Sequence, residues 1–253
     1  MNNFEEEFMK WIYLSPHFDD AVLSCGGLIW KQIQNGEQVE VWTIFGGNPP
    51  GGELSMFAKV LHYRWGIPED SVDIRREEDL AALNCLGVKA RHFDFLDCIY
   101  RKNEITGEIL YEDFEMITSG VERNEEKLVE KIEKELSELK KINAKVVAPI
   151  GVGNHIDHRI IHKISSRLRI DMMYYLDFPY VFRDENWGKD ENLMDFTSMT
   201  YVVSTTSRDK WKEAIACYSS QLSSFWSGTD EMKREIEDYY LKMNGIKLFI
   251  REN

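Results

Sequence analysis

Short runs of β-branched and aromatic residues alternate with longer amphipathic segments along the chain, and this alternation restricts the fold more than any other feature. A strand–helix–strand unit returns the chain parallel to its start, so repeated units build a mostly parallel sheet with helices on its faces. Predicted strands lie at Lys10–Leu14, Val39–Phe45, Arg91–Phe95, Lys145–Pro149 and Met172–Leu176. Predicted helices lie between them at Asp20–Gln34, Glu53–Trp65, Asp73–Leu86, Glu125–Ile142 and Asp157–Leu168. In Glu125–Ile142, residues Leu128, Ile132, Leu136 and Leu139 share one face. Asp97–Asn124 reads as an irregular inserted loop, and Phe182–Phe196 as a polar, aromatic one. The tail adds a strand, two helical segments and a last apolar run, Ile246–Ile250. The expected architecture is a Rossmann-like three-layer α/β sandwich with a mostly parallel central sheet and an added C-terminal segment. No repeat, linker or shift in composition divides residues 1–253, which read as one domain.

Charge narrows the partners. The chain carries 31 Lys plus Arg against 44 Asp plus Glu, a net charge of −13, and no dense basic block. Nucleic acid and anionic membrane surfaces reward clustered cations, so neither is an expected partner. No apolar run approaches the ~18 residues of a spanning helix. Met1–Lys10 carries Glu5, Glu6 and Glu7 where a secretion signal places positive charge. Four scattered cysteines without a CxxC pair read as reduced thiols in the cytoplasm, with Cys25 a small packing residue. Oligomeric state is not legible, and a homo-oligomer is compatible with the sequence.

Ligands of open parallel sheets bind beyond the carboxyl ends of the strands. Two such ends carry histidine and aspartate together: Ser15-Pro16-His17-Phe18-Asp19-Asp20 after the first strand, and Gly153-Asn154-His155-Ile156-Asp157-His158 after the fourth. His17 and Asp20, three residues apart, can share one side of a tight turn. An imidazole from the other loop completes three protein ligands with an open fourth position, the pattern of a catalytic zinc site. The competing structural reading is that Asp19 or Asp20 simply caps the following helix. His62, His92 and His162 fall on regular elements without partner carboxylates and are assigned to packing. A serine or cysteine nucleophile (Ser15, Ser24 or Cys25 with His17) lacks a nucleophile elbow. Gly151 and Gly153 lack the further residues of a nucleotide loop, and are read as letting the backbone bring His155 close to the metal.

The two motifs, with Ala21-Val22-Leu23-Ser24 after the first, resemble those of the PIG-L (LmbE-like) zinc-dependent N-acetylglucosamine deacetylases. Supporting likeness comes from Arg75–Ala82 with Leu86-Gly87, from Phe93–Asp97, and from Ala214–Gln221. Phe18 and Ile156 stand where that family often has proline. The resemblance implies that His17, Asp20 and His158 bind Zn2+, with Fe2+ or Co2+ able to occupy the same ligands. It implies that Asp19 is the general base toward a zinc-bound water. It further implies that His155 stabilises the oxyanion and protonates the leaving amine, with Asp157 orienting it. Arg75, with Arg76 as the alternative, would contact substrate, and Asp97 would line the site. The expected reaction is removal of an N-acetyl or related N-acyl group from an amino sugar or its small-molecule conjugate. Aromatic residues in Phe178–Trp187 and Phe225–Trp226 would stack on sugar faces. The alternative is a catalytically inactive carbohydrate- or conjugate-binding protein on the same scaffold.

Overall fold

Burial on both faces is what a central strand demands, and β1 (Lys10–Ser15) is buried from Trp11 onward. It is followed by α1 (Asp20–Gln34), β2 (Gln38–Thr43), α2 (Met56–Arg64), α3 (Ser71–Leu86) and β3 (Lys89–His92). Next come α4 (Phe114–Thr118), α5 (Glu126–Leu136), β4 (Lys145–Pro149), α6 (Ile156–Arg167), β5 (Met172–Tyr175) and α7 (Tyr180–Arg183). The chain closes with β6 (Phe196–Tyr201), α8 (Thr205–Ala216), α9 (Ser219–Phe225), α10 (Thr229–Met243) and β7 (Ile246–Arg251). This computed structural model describes residues 9–67, 71–120, 125–184, 186–187 and 195–252. Parts of the expected 97–124 and 182–196 loops, and most of the segment before Lys10, lie outside them.

The strands form one seven-stranded sheet in the order β3-β2-β1-β4-β5-β7-β6. β1 to β5 are parallel, with Tyr13 paired to Val41 on one side and Val147 on the other. β7 runs antiparallel to both β5 and β6, so the added C-terminal segment supplies the only antiparallel edge among the described strands. The chain leaves β1 toward β2 but leaves β4 toward β5. Right-handed crossovers in opposite directions put their helices on opposite faces, which gives the three layers. α1, α3 and α8 pack together on one face, and α5 packs on α6 on the other.

Three elements depart from expectation, the first being the tail, which carries three helices (α8, α9 and α10) after β6 where two were expected. The helix predicted to reach Ile142 ends at Leu136 and tightens into a 3-10 turn over Ser137–Lys141, which still buries Leu139. The inserted segment is partly ordered, with a 3-10 turn at Cys98–Tyr100 and the short α4. α8 lies hard against α1: a Cβ on Gly26 would stand 2.5 Å from Trp211 Cδ1. The Trp211 indole N–H donates to Val22 O at 2.7 Å, so this docking is directional as well as apolar.

Candidate active site

β1 and β4 are neighbours whose connections diverge, and such a switch point opens a crevice at the carboxyl end of the sheet. Both histidine–aspartate motifs leave their strands there. Ser15 shapes the first: its Oγ accepts from Ala21 N at 3.0 Å and donates to His17 O at 2.6 Å. Asp19 occupies the N-cap position of α1 but makes no side-chain cap, and Asp20 Oδ2 accepts from His17 N at 2.7 Å. Capping therefore does not account for either aspartate. In the second motif His155 caps α6, its Nδ1 accepting from Asp157 N at 3.2 Å. Gly153, at φ +90°, brings that loop so close to Tyr180 that a Cβ would stand 2.9 Å from its ring.

Hydrogen bonds orient each imidazole. His17 Nε2 lies 3.0 Å from Asp157 Oδ2, and His158 Nδ1 lies 2.7 Å from Asp177 Oδ1. A carboxylate accepts, so each of those ring nitrogens carries the proton. The opposite nitrogens then both face Asp20: His17 Nδ1 at 3.2 Å from Oδ2, and His158 Nε2 at 3.3 Å from Oδ1. His158 Nε2 is buried and has no hydrogen-bond partner. A lone pair against a carboxylate oxygen is unfavourable unless a cation, proton or metal, lies between them. These residues fit a divalent metal on that ground. Ligand atoms of His17, His155 and His158 also lie within 4.8 Å of one another, as do those of Cys98, His155 and Asp157 and of His17, Asp97 and Asp157. His155 differs from the other two imidazoles: with Nδ1 accepting, its Nε2 carries the proton and is a donor.

Electrostatics separates the roles further. Burial opposes a charged ring at His17 and His158, yet the surrounding carboxylates outweigh it. Asp97, Asp157 and Asp20 raise His17 well above the usual histidine value. Asp20 and Asp177 push His158 up to about 10. His155 is held well below that value by burial and then by His17, so it stays neutral. Burial and then the adjacent Asp20 charge push the Asp19 carboxyl up to about 6, with Arg75 opposing.

The motifs open into a cleft of about 460 Å³ lined by His17, Asp19, Asp20, His155, Arg75 and Asp97. Arg75 stands 3.7 Å from both Asp19 and Asp97 and lies 4.9 Å over the Trp65 ring, with its buried Nε free of hydrogen bonds. Arg76 is committed elsewhere, donating to Gly46 O at 2.5 Å. The carboxylate of Asp157 is turned to His17, and Asp157 reaches His155 through its backbone N–H. Tyr180 and Phe225 face the cleft, whereas Phe178 and Trp226 are core residues. Of the alternative nucleophiles, Ser15 and Ser24 bond to backbone groups, and burial raises the Cys25 thiol well above its usual value. His92 does have a carboxylate partner, contrary to expectation: Asp79 Oδ2 lies 2.7 Å from its Nε2, and Asp79 Oδ1 accepts from Tyr218. Asp177 is the site residue that motif reading misses. Its Oδ2 also accepts from Gly151 N and Val152 N at 2.7 and 2.8 Å, tying β5 to the second motif loop.

This fold and site belong to a known class. The PIG-L family profile, described as GlcNAc-PI de-N-acetylase, matches residues 12–168, and the chain belongs to that family. It is 29% identical over 199 residues to the 2'-N-acetylparomamine deacetylase of Niallia circulans, covering 71% of this chain and 70% of that one. Among solved structures it resembles the zinc-inhibited form of teicoplanin deacetylase, with a TM-score of 0.82, 27% identity, and 97% and 99% of the two chains covered. A deacetylase–teicoplanin complex from the biosynthesis pathway of teicoplanin gives a TM-score of 0.81 at 26% identity, covering 97% of this chain and 100% of the other. No helix among the described residues is long and apolar enough to cross a membrane.

Proposed function

We propose that this protein is a metal-dependent amidohydrolase that removes an N-acetyl or related N-acyl group from an amino sugar, such as N-acetylglucosamine, within a small-molecule conjugate. The observation that carries this reading is the pair of imidazole nitrogens turned on Asp20, beside a buried Asp19 that makes no helix-capping hydrogen bond and faces the cleft with Arg75. His17, Asp20 and His158 would hold the metal, zinc being the first choice for two imidazoles and a carboxylate, with iron or cobalt admitted by the same donors. When bound, the metal supplies Lewis-acid polarisation of the amide carbonyl and makes water acidic enough to attack near neutral pH.

The chain's own residues do the rest. Asp19 takes the proton of the attacking water on a carboxylate oxygen and returns it to the departing nitrogen, a double role favoured by burial, which raises its carboxyl above the usual range. His155 donates its Nε2–H to the oxygen that gains negative charge as the carbonyl becomes tetrahedral. Its depressed basicity suits a neutral donor and leaves protonation of the amine to Asp19. Asp157 holds the His17 ring, Asp177 the His158 ring. Arg75 and Asp97 offer a cation and an anion to the substrate's polar groups in the same cleft, with Trp65, Tyr180 and Phe225 as apolar faces for a sugar ring.

Zinc-, iron- or cobalt-loaded protein, incubated with N-acetylglucosamine conjugates and N-acetylated aminoglycosides, should release primary amine stoichiometrically with acetate. The Asp19→Ala variant should bind metal and release none. Metal-loaded protein that binds these compounds without forming amine would overturn the hydrolase reading in favour of a binding protein.

A further inference from the structure

Arg101 is a buried cation that the proposed reaction does not use. Its guanidinium is 5% exposed, lies 2.6 Å from Asp157 Oδ1 through Nη1 and 2.6 Å from Glu125 Oε1 through Nε, and also reaches Leu96 O at 3.2 Å. Glu125 is fixed in turn by the Tyr111 hydroxyl at 2.5 Å. Phe45 and Tyr111 cover the guanidinium with ring centroids 5.2 and 5.4 Å away. A buried arginine between two carboxylates is a poor source of stability, because desolvating three charges offsets most of their attraction. What it achieves is geometric. Asp157 Oδ1 is held by this ion pair without a hydrogen bond of its own, while Oδ2 is turned to Cys98 N at 3.1 Å and to His17 Nε2 at 3.0 Å.

From this chain of contacts we infer that Arg101, braced by Glu125 and Tyr111, is a positioning residue for the metal site. It locks Asp157 so that His17 keeps its proton on Nε2 and presents Nδ1 beside Asp20. Arg101 and Tyr111, from the segment 97–124 read from sequence as an insertion, and Glu125, at the start of the following helix, thereby become part of the site's scaffold, and none of the three touches the cleft's ligand atoms. The inference rests on His17 being a metal ligand, as proposed above.

The test compares Arg101→Met, Arg101→Lys, Glu125→Gln and Tyr111→Phe with an Arg91→Met control, which removes an outlying arginine paired with Glu138 at 2.5 Å. Zinc affinity is measured by competition with a chromophoric chelator, and the His17 Nε2–H is followed by ¹⁵N-edited NMR of the zinc-loaded protein. The expected result is a roughly 10–100-fold loss of zinc affinity in Arg101→Met. Its Nε2–H signal should also be lost to solvent exchange, with partial recovery in Arg101→Lys and no change in Arg91→Met. Wild-type affinity and a protected Nε2–H in a folded Arg101→Met protein would overturn the inference. Should that variant fail to fold, Tyr111→Phe decides: a weakened affinity with faster Nε2–H exchange supports positioning, and unchanged values overturn it. A wild-type protein that binds no zinc overturns the ligand assignment and this inference together. Zinc affinities that follow the expected pattern without amine release overturn only the hydrolase reading.

Discussion

Asp157 Oδ2 lies 3.0 Å from His17 Nε2, so the aspartate of the second motif fixes the histidine of the first. The two strand ends are thus joined through a carboxylate–imidazole hydrogen bond as well as through Asp20, and the consequences of that arrangement are measurable.

Metal loading should release protons. Without metal, neighbouring carboxylates favour the protonated form of both His17 and His158 despite burial. A metal must displace those protons, so apparent affinity should rise with pH and level off only near His158's own pKa of about 10. Calorimetry at pH 7.5 in buffers of different ionisation enthalpy should give roughly one to two protons released per metal. Release of none would mean the imidazoles are neutral in the metal-free protein.

Asp19→Asn should exchange activity for stability. The folded-state pKa of Asp19, about 6, lies above its value of 3.8 when unperturbed. Its contribution to stability is therefore fully present below pH ~4 and is lost as pH rises through ~6, leaving a cost of about 2–3 kcal/mol at pH 8. Metal-free Asp19→Asn should be more stable than wild type by up to that amount at pH 8 and equal to it near pH 4. Urea unfolding at the two pH values checks this, and turnover should be abolished at both.

Removing Asp177 should weaken metal binding without touching a ligand. Asp177→Asn leaves the His158 ring free to choose the wrong tautomer, and a loss of roughly 10–100-fold in metal affinity is expected. The same change weakens the acceptor for Gly151 and Val152 N–H, so a stability loss of about 1–3 kcal/mol should accompany it. Chelator competition and denaturant titration read the two effects separately.

Gly26→Ala should destabilise the fold while sparing the chemistry. The added methyl would sit 2.5 Å from the Trp211 ring, which is itself fully buried and hydrogen-bonded to Val22 O. Overpacking of this kind costs about 1–3 kcal/mol. The melting temperature should fall by several degrees, with kcat per folded molecule unchanged.

Much of this could be read from the residues in order, and what could not follows a physical pattern. The parallel sheet was legible because alternation of strand and helix leaves few topologies. His17, Asp20, His155 and His158 stood out because each motif concentrates them within a few residues of a strand end. Asp177 was not legible: it stands alone between Leu176 and Phe178, and its partner His158 lies in the first turn of α6, which follows a different strand. The family resemblance implied that Asp157 orients His155. Instead His155 occupies the cap position and Asp157 the first turn of α6, and the carboxylate swings across to β1's motif. His92 looked solitary for a related reason, since its partner Asp79 lies on a helix thirteen residues earlier. Helix ends were similarly underdetermined: the apolar spacing continues through Leu139, while the backbone has already tightened into a 3-10 turn. Periodicity reports which face is buried and says little about which kind of helix carries it.

The packing of Trp211 on α1 sets an order of assembly. The indole reaches back across 189 residues to Val22, two residues after Asp20. On a ribosome, the helix that carries the first motif therefore lacks its covering layer until most of the chain has emerged. Until then its apolar flank is open to chaperones, and the half-site has neither α6 nor α8 to hold it. Metal uptake at the proposed site would then await the finished fold, so a truncated product that lacks α8 should be found empty of metal and associated with chaperones.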